Sequence, residues 1–313
     1  FDEPGVDFHT IRRRYQFGEY IGGSEAASIM GCGFSSAITI YMQKTQQEDV
    51  PDLSGLEYIE WGNMLEPVVL KRTEEMLNLN IHKPNHMYLH PLHNFMTANF
   101  DGVSEDGRLV EVKTTDSYKR KSMLEDGVIP DDWLIQMHHY ACFRIPDWHP
   151  SGGEPFQGLI LSAKTHMQKD PVIIESPVDW GLCETIIKEE KAFIQRLTDK
   201  NPPPPDGSAS ATNSVKHMPL GEGEIEANEE VESHWKAAKD AKASMDLAEK
   251  SYKFHKNYIH TLMSERECNK IRGISYSRTS KRLSEKLLKK RLAEHNLSHL
   301  IEECRQESSP YIV

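Results

Sequence analysis

Residues 100–115, FDGVSEDGRLVEVKTT, constrain this chain more than any other stretch, because apolar and charged residues alternate there with the period of a β-strand. Residues two apart in a strand project to the same face, so Glu111 and Lys113 point together while Val110 and Val112 point the other way. A charged pair therefore lines one side of an otherwise apolar strand. The preceding run FMTANFDGVS also has strand composition, and Glu105-Asp106-Gly107 between the two runs reads as a tight hairpin loop. Register decides whether Asp101 joins the pair. A two-residue turn at Asp106-Gly107 sets Asp101 opposite Val112, on the wrong face; a three-residue loop with Gly107 left-handed sets it opposite Glu111. The three-residue loop is the expectation.

Two carboxylates beside a backbone carbonyl suit a small, hard cation such as magnesium, which takes oxygen ligands. Val112 is the obvious carbonyl donor, and Lys113 is placed to orient a water or offset charge developing on a phosphate. Alone, the pattern is weak: an acid, a gap and then acid-any-lysine arise by chance in a chain with 48 acidic residues, and a surface hairpin with an ordinary Glu–Lys pair competes.

Five blocks in order add context: YIGGSEAASIMGCG, EYIEWGNMLEPVV, TANFDGVSEDG, LVEVKTT and GVIPDDWLIQMHHYACF. Together they resemble the YqaJ-type viral recombinase family, which belongs with the lambda-type phage exonucleases in the PD-(D/E)XK nuclease superfamily. The resemblance implies metal ligands and a catalytic lysine at Asp101, Glu111 and Lys113, with a further glutamate at Glu66 and a glutamine at Gln136. It also implies 5′ to 3′ exonuclease action on linear double-stranded DNA, leaving a 3′ single strand for an annealing protein. A homo-oligomer follows from it too, as a trimeric ring, with magnesium as the cofactor, manganese as the alternative, and two ions. Relatives often place an arginine just ahead of the GGS block to grip a terminal 5′ phosphate, and here Phe17 stands at about that place. Arg12, Arg13 and Arg14 lie just upstream and offer the planar guanidinium fork instead, with Arg14 nearest; a solvated basic arm is the competing reading.

Ser24 follows two glycines and precedes a small-residue helical run, so backbone amides and its hydroxyl can meet a phosphate at a helix start; a plain N-cap is the alternative. Glu66 precedes Pro67, which places its carboxylate at a helix start or bend rather than mid-helix. In DDWLIQMHHYACF, Asp131 or Asp132 caps a helix whose apolar stripe is Leu134, Met137, Ala141 and Cys142. Gln136 and Tyr140 share another face one turn apart, able to approach the metal or the bound strand, and Tyr140 is expected to contact a DNA phosphate.

The net charge of −11 argues against a protein that coats nucleic acid through many phosphate contacts, but an enzyme can concentrate cations in one channel, and a ring would shelter such a channel. At 313 residues with 38% hydrophobic content, one large domain or two are expected, with no membrane span and no secretory signal at the start. Five scattered cysteines without a CxxC pair suit a reducing compartment, hence a cytoplasmic site. His82, His86, His90 and His93 invite a zinc reading, which Pro84 and Pro91 weaken by breaking helical spacing.

The expected architecture is an α/β core sheet of the restriction-endonuclease-like kind flanked by helices, with an α-rich C-terminal module. PVDWGLCETIIKEEKAFIQRL reads as a long helix packing through Trp180, Cys183, Ile187, Phe193 or Ile194 and Leu197. Boundaries are expected at 1–200 for the nuclease domain, 201–228 for a Pro/Gly/Ser-rich linker and 229–313 for a helical module contacting DNA or a partner. In that module Trp235, Ala238, Met245, Ala248, Tyr252 and Ile259 recur at nearly helical spacing, NKIRGISYSRTS suggests a hairpin at Gly273, and Arg278 to Arg291 hold the densest basic cluster. Competing functions are an endonuclease or repair nuclease on the same fold, since the motif fixes chemistry rather than position on the strand, and a non-catalytic protein that binds DNA ends.

Overall fold

The computed structural model describes residues 18, 20–51, 55–84, 86–165, 168–218, 222–266, 270–271 and 276–277. Strand β6 (Leu109–Thr115) stands at the centre of a five-stranded sheet of order β2 (Ile81–His82), β5 (Gly102–Ser104), β6, β7 (Leu159–Thr165), β8 (Val172–Ser176). β6 and β7 run parallel over seven rungs, from Leu109↔Leu159 to Thr115↔Thr165, and every other pairing in this sheet is antiparallel. The parallel pair needs a crossover, which α4 (Tyr118–Glu125) and α5 (Asp131–Ala141) supply. The expected α/β class, a sheet flanked by helices, is the one observed.

The alternation read in residues 109–113 sorts the core into two layers. Val110, Val112 and Ile160 pack against Val69 and Leu70 of α3 (Glu57–Leu77). Leu109, Leu159, Leu161 and Ala163 project to the other side, where Met137 and Tyr140 of α5 join them. The hairpin has the expected register: Gly102 lies opposite Val110 and Val103 opposite Leu109, and Gly107 is left-handed at φ 81°.

The run from Phe95 to Ser104 departs from the expectation of one strand. It forms β4 (Met96–Ala98) and β5 in different sheets; β4 lies between β1 (Ile21–Gly22) and β3 (Tyr88–Leu89). Met96, Ala98 and Phe100 share one parity, Val103 has the other, and all four bury in one cluster. A single continuous strand would turn Val103 away from that cluster, so the chain breaks at residues 99–101.

Pro67 lies inside α3, and Glu66 is therefore mid-helix, contrary to the expectation of a start or bend. Proline's fixed φ is the helical one, so the helix continues through it at the cost of one backbone hydrogen bond, while Val69, Leu70 and Thr73 anchor the following turns. The N-cap of α5 is Pro130, which puts Asp131 and Asp132 in the first turn, where their charges suit the helix dipole. Its buried face is also wider than the expected stripe, taking in Trp133, Ile135, His138, His139 and Tyr140. In α6 (Trp180–Thr198) the buried line is Cys183, Ile186, Glu190 and Phe193, rotated from the expected one, and Trp180 is exposed.

The linker expected from residue 201 is overturned at residues 209–216, which form α7 (Ala209–Lys216) with Ala211 fully buried. Ala211 joins Ile38, Tyr41 and Met42 of α2 (Ala37–Lys44). The serines that suggested solvent contact instead bond inward: Thr39 Oγ1 lies 2.7 Å from Ser210 Oγ and 2.8 Å from Ser214 Oγ. The first compact unit accordingly runs to Leu220 rather than to residue 200, and the second comprises Gly221–Val313.

Within the second unit α8 (Glu229–Glu265) is one long helix, as expected, and Met263 is its buried residue. β9 (Lys270–Ile271) pairs antiparallel with β10 (Tyr276–Ser277), the expected hairpin, while the basic cluster from Arg278 lies outside the described residues. Among the described residues no helix is long and apolar enough to cross a membrane.

Candidate metal centre

The C-terminal half of β6 extends past the end of β5, so its outer edge lacks a strand partner there and meets Asp101 instead. The Val112 N–H donates to Asp101 Oδ2 at 2.8 Å. A residue's N–H and C=O leave a strand on the same edge, so the Val112 carbonyl faces the Asp101 side as well. Register and hydrogen bonding thus bring Asp101, Glu111 and Val112 together.

Glu111 is 1% exposed and Lys113 lies beside it on the same face, its Nζ 2.8 Å from Glu111 Oε1. α5 delivers Gln136 onto the pair: its Oε1 accepts from Lys113 Nζ at 2.9 Å, and its Nε2 donates to Glu111 Oε1 at 2.8 Å and to the Tyr140 hydroxyl at 3.3 Å. Glu111 Oε2 is buried and has no hydrogen-bond partner among the described residues. A buried carboxylate oxygen without a donor is costly, and a cation would satisfy it.

Burial raises the carboxyl pKa of Glu111, and burial together with Glu111 and Glu66 raises that of Asp101 well above the ordinary carboxylate range. Burial opposes the charge on Lys113, but Glu111 and Asp101 outweigh it and hold the ammonium above its usual pKa. A cation placed among these carboxylates would favour their ionised form.

Glu66 reaches the cluster electrostatically, yet its carboxylate is bonded to Lys83, just past β2. Among the described residues no three His, Cys, Asp or Glu side chains stand in position to hold a metal ion. Glu66 is engaged by Lys83 and Asp101 by the Val112 N–H, so gathering the donors requires these two carboxylates to turn. The donor set fits magnesium in kind: carboxylate and carbonyl oxygens, without sulfur.

Ser24 is exposed in the first turn of α1 (Gly23–Ile29); the N-cap is Gly22, whose N–H donates to Glu25 Oε2 at 2.9 Å. The plain N-cap reading of Ser24 therefore fails. Gly23 sets α1 against the site: a Cβ there would lie 2.7 Å from the Tyr140 ring and 2.9 Å from Gln136 Cγ. Tyr140, expected to contact a DNA phosphate, is instead buried beneath that glycine. Arg14, with Arg12, Arg13 and Phe17, lies outside the described residues.

Two features behind the site carry no motif. His139 Nδ1 lies 2.6 Å from Glu190 Oε1 and its Nε2 2.9 Å from the Thr97 carbonyl, all buried. Lys44 pairs with Glu25 at 2.9 Å and donates to the Tyr20 carbonyl. A histidine adjacent to Gln136's helix face and an acid on an apolar helix stripe were the available signals. His90, from the group that invited zinc, has both ring nitrogens engaged: Nε2 with the Cys142 carbonyl and Nδ1 with the Leu92 and His93 amides.

Residues 7–143 match the family model described as YqaJ-like viral recombinase domain. The protein from Bacillus subtilis (strain 168) named "Uncharacterized protein YqaJ" is 28% identical over 217 residues, a match covering 68% of this chain and 63% of that protein. The chain therefore aligns with less than two thirds of that relative's length. The solved alkaline exonuclease LHK-Exo from Laribacter hongkongensis superposes with a TM-score of 0.46 at 16% identity, over 58% of this chain and 90% of that one. LHK-Exo in complex with dAMP gives 0.44 over the same shares at the same identity.

Proposed function

The chain carries a YqaJ-like viral recombinase domain across residues 7–143, and from that premise we propose that it is a metal-dependent exonuclease acting on linear double-stranded DNA. The observation that carries the proposal is Glu111 Oε2, buried and without a partner among the described residues, beside Asp101, the Val112 carbonyl edge and a lysine locked in place. Asp101, Glu111, the Val112 carbonyl and Glu66 would hold magnesium, or manganese in its stead, as two ions. When bound, such a cation polarises a phosphoryl oxygen and lowers the pKa of a nearby water.

The remaining work falls to the chain's own side chains. Lys113 has three donors; Glu111 and Gln136 orient it through two, and the third can meet charge developing on the phosphate. Gln136 fixes both Lys113 and Glu111 and is a positioning residue. Ser24, exposed at the start of α1, and Arg14 are the proposed contacts to the DNA phosphates, with Tyr140 supporting the wall between α1 and α5. Digestion 5′ to 3′, a 3′ strand handed to an annealing protein, a ring-shaped homo-oligomer and a cytoplasmic location complete the reading; the unbridged cysteines Cys32, Cys142 and Cys183 suit a reducing compartment.

Linear duplex labelled separately at each end, incubated with magnesium or with EDTA beside covalently closed circles, tests the proposal. Magnesium-dependent loss from the 5′ ends with circles spared is the expected result. Cut circles would indicate an endonuclease, and folded protein that binds ends without cleaving would indicate a binding protein. Lys113→Ala should lower turnover by about a hundred- to a thousandfold, in the range of a lost electrostatic group, while duplex binding persists.

A further inference from the structure

Three carboxylates, Glu66, Asp101 and Glu111, act on one another electrostatically and are matched by two ammonium groups, Lys113 and Lys83. With all three ionised, the state a bound cation favours, one negative charge is left in excess. The two lysines are held very differently. Lys113 is wedged between Glu111 and Gln136 on the central strand. Lys83 is 46% exposed, sits where the chain leaves edge strand β2, and bonds Glu66, the carboxylate that the proposed function gives to the metal.

We propose that Lys83 is the stand-in cation of this site: it occupies Glu66 until a divalent metal takes that carboxylate, and the released ammonium then engages a DNA phosphate. This rests on the assignment of Glu66 as a metal ligand. Charge dictates the exchange. A single divalent ion turns the excess from one negative to one positive, so Lys83 loses its reason to stay, and each incoming phosphate brings a negative charge that restores balance. Exposure allows the exchange, because a solvated lysine on a four-carbon stem can swing without leaving a buried charge behind.

The competitor and the phosphate contact have opposite signatures, which makes the exchange testable. Manganese binding is measured by calorimetry without DNA for the wild type and for Lys83→Met, Lys83→Arg and Glu66→Gln. Lys83→Met should bind manganese about two- to fivefold more tightly, the size of a partly exposed ion pair; Lys83→Arg should resemble the wild type, and Glu66→Gln should bind more weakly. Duplex binding is then followed across salt concentrations with manganese present, on a duplex whose backbone resists hydrolysis, so that DNA is bound but not consumed. Lys83→Met should lower the salt slope by about one. Weaker metal binding in Lys83→Met, or an unchanged value while Glu66→Gln is impaired, overturns the stand-in role. Tighter metal binding with an unchanged salt slope overturns the transfer to DNA. Equal manganese affinity in the wild type and Glu66→Gln overturns the metal assignment of Glu66 itself, a different failure from that of Lys83.

Discussion

The proton on the His139–Glu190 pair is the residue-scale feature with the clearest consequence. The Thr97 carbonyl can only accept, so His139 Nε2 carries a hydrogen, and the 2.6 Å contact between Nδ1 and Glu190 requires a second proton shared by the pair. Burial opposes the charge on His139, but Glu190 and the Thr97 carbonyl prevail and raise its pKa. Burial likewise raises the pKa of Glu190. The folded pair therefore retains a proton to higher pH than a free imidazole does. Its contribution to stability is complete below the unfolded histidine pKa, about 6.5, and is lost as pH rises through the raised folded value. Urea midpoints followed from about pH 6 to about pH 9 should decline for the wild type and stay flatter for Glu190→Gln, whose amide can donate to a neutral imidazole. Equal slopes would remove the pair from the account. This pair was invisible in the sequence because an acid on an apolar helix stripe signals nothing until its partner, 51 residues away, is known. Glu111 and Lys113 were legible because a period of two fixes their face whatever surrounds them, and Asp101 because loop length fixes register.

At the scale of elements, local composition misled wherever tertiary partners supplied what it lacked. Pro67 marks a helix end only if nothing anchors the helix beyond it, and Val69, Leu70 and Thr73 do so. Ser208 to Ser214 look like solvated linker, yet Ser208 caps α7 by accepting from the Ala211 N–H, and Ser210 and Ser214 meet Thr39 on α2. By contrast α8 was legible, because Trp235, Ala238, Met245, Ala248, Tyr252 and Ile259 recur along it at nearly helical spacing. α7 closes the face of α2 that carries Ile38, Tyr41 and Met42, next to Phe193 of α6. A chain ending at residue 200 should therefore lose on the order of 3 kcal/mol relative to one ending at residue 220, from uncovered apolar area and stranded hydroxyls. Thermal melts of the two truncated chains decide this; equal midpoints would show that α7 is dispensable.

Charge divides the whole molecule unevenly. Acidic and basic residues nearly balance after residue 220, so the net charge of −11 resides in the first unit, the same unit that contains Asp101, Glu111, Lys113 and Gln136. All four buried clusters draw on residues before 220, so that unit has its own cores and should fold alone. An acidic body meets duplex DNA with little general attraction, and a chain that removes the balancing basic residues of the second unit should meet it with less. We therefore expect a chain ending at residue 220 to keep the proposed metal-dependent turnover at saturating DNA, with KM raised on the order of tenfold at moderate salt, and the gap narrowing as salt falls. Steady-state digestion at several salt concentrations measures both quantities. An unchanged KM would assign the second unit's basic residues to a protein partner rather than to DNA. A lost kcat in a folded truncated chain would mean that the reaction itself draws on residues beyond 220, and the site on β6 would then be incomplete without them.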